Sequence, residues 1–139
     1  ALENKLIDEF KRVKLIKREF KFSKDTRFDF LCDKKIIEVK NVTLTRENKV
    51  AEFPDAITSR GTKHLINLVN SMKKKYNPYV LFLTQIQDIE YFRIAKDIDD
   101  NYHKNYLLAK KAGVNFLAYR CYINSKEIRI EKKIKIIDE

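Results

Sequence analysis

Two carboxylates and a lysine lie on neighbouring segments whose residues alternate between apolar and charged. Asp29 is in one segment, Glu38 and Lys40 are in the next, and two turn-type residues separate the segments. Two alternating runs joined in this way predict a β-hairpin, with Phe30 opposite Ile37. The next pair is Asp29 with Glu38, two like charges that destabilise a sheet unless something compensates them. A divalent cation with a nearby lysine would compensate them, which indicates metal-dependent phosphodiester chemistry.

The segment before Asp29 predicts a third strand. Residues 17–22 alternate as well, and a three-residue loop after them aligns Phe20 with Phe28, which keeps the apolar face continuous. The same register places Glu19 opposite Asp29. The three strands then carry an acidic row of Glu19, Asp29 and Glu38 beside a basic row of Lys21, Arg27 and Lys40.

The triplet Glu-x-Lys is not specific by itself in this chain, because charged residues make up 36% of the sequence. The triplet begins at Glu3, Glu9, Glu19, Glu38, Glu47 and Glu131. Only the copy at Glu38 lies in an apolar strand that faces an aspartate on its predicted hairpin partner. The alternative interpretation is a solvated sheet face with cross-strand ion pairs.

Length and charge limit the class of protein. A chain of 139 residues predicts one domain with its own core. The net charge of +10 indicates a polyanionic partner such as DNA, although an AT-rich genome or a hot habitat would also enrich lysine and isoleucine. No signal peptide and no membrane-length apolar run is visible, so a cytoplasmic protein is expected. Cys32 and Cys121 are interpreted as core thiols in a reducing compartment.

The remaining patterns predict an α/β protein with the element order αβββαβαββ, a mixed central β-sheet flanked by helices. The predicted helices cover residues 2–13, a segment that begins at Thr58 or Ser59, and residues 99–112, which Gly113 ends. The later strands are predicted at 79–83, 114–119 and 127–130, the third strand is predicted to extend toward Leu44, and residues 46–58 are predicted to be irregular.

This order, with Asp29 and Glu38-Val39-Lys40 on the second and third strands, resembles the restriction-endonuclease-like core of the PD-(D/E)xK nuclease superfamily. Nearly the whole chain is similar to the sugar fermentation stimulation protein A (SfsA) family. The motifs that carry this resemblance are Arg27-Phe28-Asp29-Phe30, Glu38 to Leu44, Phe53-Pro54-Asp55-Ala56, Arg60-Gly61 with His64-Leu65, Gly113-Val114 and Ala118-Tyr119. The resemblance implies a single nuclease-like domain over residues 1–139, without the N-terminal OB-like domain of full-length family members.

The chemistry then assigns roles to the site residues. Mg²⁺, or Mn²⁺ in its place, would take oxygen ligands from Asp29 and Glu38, with the Val39 carbonyl as a third ligand. Lys40 would orient the attacking water or offset charge in the transition state. Glu19 would be a second metal ligand or a general base.

Other residues are predicted to contact DNA. Arg60 and His64 are four residues apart on one helical face, and both would point at a phosphate or toward the acidic row. Gln85 ends the central strand, where it would border the site or simply cap the strand. The full set of predicted DNA contacts is Lys21, Arg27, Arg60, His64 and Gln85. His103 is interpreted as a surface residue.

Two functions from different classes stay open. The first is a metal-dependent DNA endonuclease, and the second is a non-catalytic DNA-binding module on a nuclease fold. The family resemblance implies a role for such a module in the regulation of sugar-utilisation genes. A homodimer and a separate OB-like or other protein partner also stay open.

Overall fold

The computed structural model describes the backbone of residues 16–23, 26–32, 34–123 and 128–138, and the side chains of residues 34–122 and 130–138. The strands are β1 (Ile16–Ser23), β2 (Thr26–Cys32), β3 (Lys35–Val42), β4 (Leu44–Glu47), β5 (Val50–Phe53), β6 (Asn77–Thr84), β7 (Tyr91–Ile94), β8 (Asn115–Ile123) and β9 (Ile128–Ile137). The helices are α1 (Ser59–Ser71) and α2 (Asp100–Ala112), and a 3-10 turn, Met72–Lys74, follows α1. The predicted helix over residues 2–13 lies outside the described residues.

The described strands form one mixed sheet in the order β1-β2-β3-β6-β8-β9-β7-β5-β4. β1, β2 and β3 are antiparallel neighbours, and β3, β6 and β8 are parallel neighbours. β9 pairs with β8 along its first part and with β7 at its end, so it joins the two halves of the sheet. The predicted mixed α/β class is therefore confirmed. Among the described helices, none is long and apolar enough to cross a membrane.

The core lies on both faces of β3 and β6. Ile36 and Ile37 are adjacent in β3 and both are fully buried, which requires cover on each face of the strand. Ile36 belongs to the larger apolar cluster, which includes Leu65 of α1 and Tyr102 of α2, whereas Ile37 belongs to a smaller cluster on the opposite face. Both helices therefore cover the face of β3 that also carries Glu38, since side chains alternate along a strand.

The two helices begin and end side by side. Thr58 caps α1 by accepting a hydrogen bond from the Gly61 amide, and Asp99 caps α2 by accepting one from the Tyr102 amide. Asp99 also accepts a hydrogen bond from the Thr58 amide at 2.8 Å, which ties the two N-termini together. Gly113 ends α2 in the left-handed conformation at φ 119°, as predicted. The N-terminal ends of both helices thus lie together at one end of the pair.

Three sequence expectations are wrong. The segment 46–58 is not wholly irregular, because it contains the end of β4 and all of β5, and the third strand ends at Val42 before Leu44 begins β4. The short strand β7 was not predicted, and it is stabilised by parallel partners on both sides. His103 is only 8% exposed, because α2 turns this residue inward where its ring stacks on Tyr106. Cys121 is buried as expected.

The strands β4, β5 and β7 are joined by a network of ion pairs. Glu52 is 1% exposed and accepts hydrogen bonds from Arg46 and Arg93, and Arg46 also donates to Asp97. Burial acts to raise the pKa of the Glu52 carboxyl, but the hydrogen bonds from the two guanidinium groups outweigh it and hold the pKa below its usual value. The hydrogen bond from Arg46 lowers the pKa of Asp97 to about 2.

This network predicts a loss of stability in acid. Both carboxyls have a lower pKa in the folded chain than the value of about 4 in an unfolded chain, so the folded state binds fewer protons. Their contribution is complete above about pH 5 and is lost as the pH falls toward 2. Urea denaturation between pH 6 and pH 2 should show this decline, and Glu52→Gln should flatten it. If the unfolding free energy of Glu52→Gln fell with pH as steeply as that of the unmutated chain, the lowered pKa of Glu52 would be contradicted.

Candidate functional site

The predicted hairpin is present in the predicted register. β2 and β3 pair antiparallel, with Phe30 opposite Ile37. The observed pairs run from Cys32 with Lys35 to Phe30 with Ile37, and the pairing of Asp29 with Glu38 one residue farther along stays a prediction. The local cause is the alternation of both segments, because a slip by one residue would exchange the two faces of each strand.

The register of β1 with β2 is also confirmed, with Phe20 opposite Phe28. The pairs on both sides of Glu19 keep this register, so its backbone is level with that of Asp29. The side chains of Glu19, Lys21, Arg27 and Asp29 lie outside the described residues. The acidic and basic rows therefore stay predictions at these positions.

Glu38, Lys40 and His64 form a compact polar cluster between β3 and α1. The Lys40 ammonium nitrogen lies 2.9 Å from Nδ1 of His64 and 3.3 Å from Oε1 of Glu38. Nδ1 of His64 lies 3.4 Å from the same carboxylate oxygen. The Glu38 side chain is 6% exposed, and those of Lys40 and His64 are each 14% exposed. The cluster is therefore an enclosed site and not a solvated sheet face.

The proton positions on His64 follow from which groups in the cluster can donate hydrogen bonds. A lysine ammonium group has three N–H donors and no acceptor, so Nδ1 of His64 accepts the hydrogen bond from Lys40. The neutral imidazole then carries its proton on Nε2. Lys40 is thus held between one neutral acceptor and one carboxylate, which orients its ammonium group and leaves Nε2–H of His64 as a second donor.

The Glu38 carboxylate has one oxygen engaged and one oxygen open. Oε1 contacts Lys40 and His64, whereas Oε2 is buried and has no hydrogen-bond partner within the described part of the chain. A buried carboxylate oxygen without a partner raises the free energy of the folded state. Such an oxygen is a suitable ligand for a hard cation. The described side chains contain no group of three or more metal-ligand residues, so a cation here would need ligands such as Asp29 or the Val39 carbonyl.

Two further buried hydroxyls were missed by sequence reasoning. Tyr102 is fully buried and Thr62 is 7% exposed, and neither hydroxyl oxygen has a hydrogen-bond partner among the described residues. Tyr102 follows the Asp99 cap by three residues, a position that helical spacing alone marks as core. The helical periodicity identified its burial, but it gave no sign that the hydroxyl is left without a partner among the described residues.

The predicted DNA contacts on the described residues lie at different distances from this cluster. His64 belongs to the cluster, and of the two directions left open by the sequence it takes the one toward Glu38. Arg60, one turn before His64 on α1, and Lys63, directly before it, are both exposed, and neither forms a hydrogen bond or ion pair with any described side chain. Gln85 is exposed just beyond β6, at the sheet end where Val42 pairs with Thr84.

A separate cleft of about 940 Å³ lies away from the cluster, between the end of β9 and the ion-pair network of β4, β5 and β7. It is lined by Arg46, Glu47, Glu52, Arg93, Ile94, Lys96, Asp97, Asp100, His103, Tyr106, Ile137 and Asp138. Most of its charged groups already pair with one another, as Arg46 does with Glu52 and Asp97. None of Glu38, Lys40 or His64 reaches it.

Comparison with known sequences identifies relatives over nearly the whole chain. Residues 1–127 match the family model described as the sugar fermentation stimulation protein RE domain. A sugar fermentation stimulation protein homolog of Pelagibacter ubique is 60% identical over 142 aligned residues, and one of Clostridium tetani is 37% identical. Each alignment covers 99% of this chain and 61% of the relative. The chain thus spans about three fifths of the length of these relatives.

A solved structure is also similar to this chain. It is that of the Pyrococcus furiosus protein SfsA in complex with Ca²⁺, with a TM-score of 0.85 and 25% sequence identity. The superposition covers 99% of this chain and 61% of that chain. The fold described above is therefore shared along its full length with a protein that has been solved with a bound divalent cation.

Proposed function

This chain belongs to the sugar fermentation stimulation protein family, and from that premise we propose that it is a metal-dependent DNA phosphodiesterase. Its catalytic site is built on Glu38, Lys40 and His64, with Asp29 across the hairpin. The observation that carries the proposal is the buried Glu38 carboxylate, in which one oxygen pairs with Lys40 and the other has no hydrogen-bond partner among the described residues. The antiparallel β1-β2-β3 meander, followed by α1 and the parallel strand β6, supports the PD-(D/E)xK type of fold.

The open oxygen of Glu38 fits a hard divalent cation, Mg²⁺ or Mn²⁺. Asp29, Glu38 and the Val39 carbonyl would hold it, and Glu19 is the candidate for a second carboxylate. Such a cation supplies Lewis acidity at the scissile phosphate and lowers the pKa of a bound water. The Ca²⁺ complex of the Pyrococcus furiosus protein supports the choice of a divalent cation for the family.

The chain's own residues bind and orient the phosphate. Lys40 keeps its ammonium group beside Glu38, where it can donate a hydrogen bond to a phosphate oxygen as negative charge develops. His64 holds Lys40 through Nδ1 and presents Nε2–H as a further donor. Enclosure under α1 excludes water and strengthens both interactions, because the local dielectric is lower than that of bulk solvent.

The DNA backbone meets the exposed face of α1 in this proposal. Arg60 and Lys63 are cationic, exposed and unpaired within the described residues, and they precede His64 on the first two turns of the helix. The net charge of +10 adds long-range attraction for a polyanion. Lys21, Arg27 and Gln85 complete the proposed contacts.

Salt dependence tests this surface. Arg60→Ala and Lys63→Ala should each lower DNA affinity, and each should reduce the slope of log K against log salt by about one unit, since one phosphate contact is lost. Fluorescence anisotropy with labelled duplex DNA at several salt concentrations measures both quantities. Lys111→Ala is the matched control, because this exposed lysine lies in the last turn of α2, about 13 Å along the helix axis from Tyr102. Equal slopes for all three variants would contradict the proposed surface.

A second function is favoured by one observation. Glu38, Lys40 and His64 satisfy one another in part, and Arg60 and Lys63 need no catalytic site in order to bind DNA. A DNA-binding module without catalysis, with a regulatory role in sugar utilisation, would use the same surface. Incubation of purified protein with DNA and Mg²⁺ or Mn²⁺, with and without a chelator, separates the two functions. Chelator-sensitive nicking or cutting supports the enzyme.

A further inference from the structure

The exposed face of α1 carries a stripe of cationic and amide side chains. It consists of residues three or four apart in the helix, namely Arg60, Lys63, Asn67 and Asn70. That spacing places all four on one helical face. Asn67 is partly exposed and the other three are exposed, and none of the four side chains forms a hydrogen bond or ion pair with a described residue. The stripe therefore presents unused hydrogen-bond donors along most of the helix.

The segment that contains this stripe has no negative side chain. Residues 56–87 include neither Asp nor Glu, although the whole chain has 20 acidic residues among 139. The cations of the segment are Arg60 and Lys63 in α1 and the exposed run Lys73-Lys74-Lys75 just after it. A solvated helix face usually mixes charges of both signs, often in pairs three or four residues apart. Positive charge alone, at both ends of one stripe, is complementary to a polyanion.

The stripe passes beside the polar cluster that contains His64. This histidine lies one turn after Arg60 and one turn before Asn67, so both are its neighbours on the helix surface. Nδ1 of His64 is 2.9 Å from the ammonium nitrogen of Lys40 in the cluster. Along the helix axis, Arg60 lies about 6 Å before His64 and Asn70 lies about 9 Å after it. A DNA strand that follows the stripe would therefore pass the cluster and continue in both directions.

We propose that one strand of duplex DNA lies along α1, where Asn67 and Asn70 donate hydrogen bonds to phosphates on the opposite side of the cluster from Arg60. Amide side chains are common donors to phosphate oxygens. The stripe is about 15 Å long, and a strand carries one phosphate per about 3.4 Å of the duplex axis, so several phosphates fit along it.

This inference rests on the proposed function and names its substrate class. The substrate is DNA whose strand continues on both sides of the scissile phosphate, because α1 contacts phosphates before and after the cluster. Cleavage is then internal and needs no strand end.

The test is binding of labelled duplex DNA of mixed sequence by the full chain, by Asn67→Ala and by Asn70→Ala, measured by fluorescence anisotropy without metal. Loss of one hydrogen bond to a phosphate should lower the affinity about 3- to 10-fold. The slope of log K against log salt should not change, because a neutral amide releases no counterion. Asn105→Ala is the matched control, since this exposed asparagine lies on α2 and donates to the Asn101 carbonyl at 2.9 Å. That variant should bind DNA as well as the unmutated chain.

Unchanged affinity in both α1 asparagine variants would overturn the inference. The proposed function is judged separately by Arg60→Ala and Lys63→Ala, which would still weaken binding if only the extension along α1 is wrong. An effect of the asparagine variants that is confined to particular base sequences would mean that the amides contact base edges, as asparagine does with adenine. That result would also overturn the assignment to phosphates.

Closed circular duplex DNA tests the substrate class. A circle has no strand end, so we expect the unmutated chain to nick it with Mg²⁺, and Asn70→Ala to do so about 3- to 10-fold more slowly at protein concentrations below saturation. Release of terminal nucleotides from linear DNA, with the circle left intact, would overturn the inference. If neither DNA is cleaved, the proposed function fails, and the anisotropy measurements still decide whether a strand follows α1.

Discussion

Glu38→Gln is expected to reduce metal-dependent DNA cleavage to the background level while DNA binding persists or becomes tighter. Glutamine keeps the size of the side chain but removes the charge that a divalent cation needs from its ligand. The same substitution deletes a negative charge that faces phosphate, so affinity for DNA should not fall. Asp29→Ala should have the same effect if this residue is the second ligand across the hairpin.

The assay for this prediction is cleavage of supercoiled, branched, flapped and single-stranded DNA with Mg²⁺ or Mn²⁺, alongside anisotropy measurements of binding. Glu131→Gln is the matched control. Glu131 begins another copy of the Glu-x-Lys triplet, but it is exposed on β9 and pairs with Arg120. That variant should cleave as well as the unmutated chain. If every substrate survives with either metal while binding persists, the enzyme assignment is wrong and the DNA-binding module stands.

The hairpin could be predicted from the sequence because its register has only one acceptable solution. Alternation fixes which residues share a face, and the aromatic pair Phe20 and Phe28 excludes a shift by one residue. The central position of β6 could be predicted for a similar reason, since a run as apolar as Val80 to Leu83 must be covered on both faces. The two described helices carry local signals, Thr58 or Asp99 at the start and Gly113 at the end of α2.

The strands β4, β5 and β7 could not be predicted because their stability is not local. Each has four residues, and their cohesion comes from ladder partners and from ion pairs such as Arg93 with Glu52, 41 residues apart in sequence. No window of sequence contains that information. The acidic side chain that this network buries most completely, Glu52, has the local pattern of an ordinary surface residue.

In the candidate site too, some features could be predicted from local sequence and others depend on tertiary contacts. The two-residue spacing of Glu38 and Lys40 predicts a shared strand face, and the salt bridge between them agrees with it. The enclosure of that face by α1 and the contact of His64 with Lys40 are tertiary, 24 residues apart in sequence. Functional roles that depend on what packs over a strand therefore become visible only in the folded chain.

Lys40→Ala is expected to slow DNA cleavage on the order of 10²-fold while the affinity for Mn²⁺ changes less. The ammonium group is held by His64 at 2.9 Å and by Glu38 at 3.3 Å, so it is oriented before DNA arrives. Removal of one such preorganised donor to developing negative charge typically costs about 10²–10³ in rate. Single-turnover cleavage measures this step, and Lys111→Ala is the control for the loss of a positive charge that lies far from the cluster.

Substitution of His64 tests whether Lys40 depends on this histidine for its orientation. If His64 acts by holding Lys40, His64→Ala should slow cleavage in the unmutated chain but have little further effect in the Lys40→Ala background, because residues that act as a unit are not additive. Independent, multiplicative losses would instead mean that Nε2–H of His64 contacts the phosphate directly, which the proton placement on that ring also permits. A Lys40→Ala variant that cleaves at the unmutated rate would remove the lysine from the mechanism.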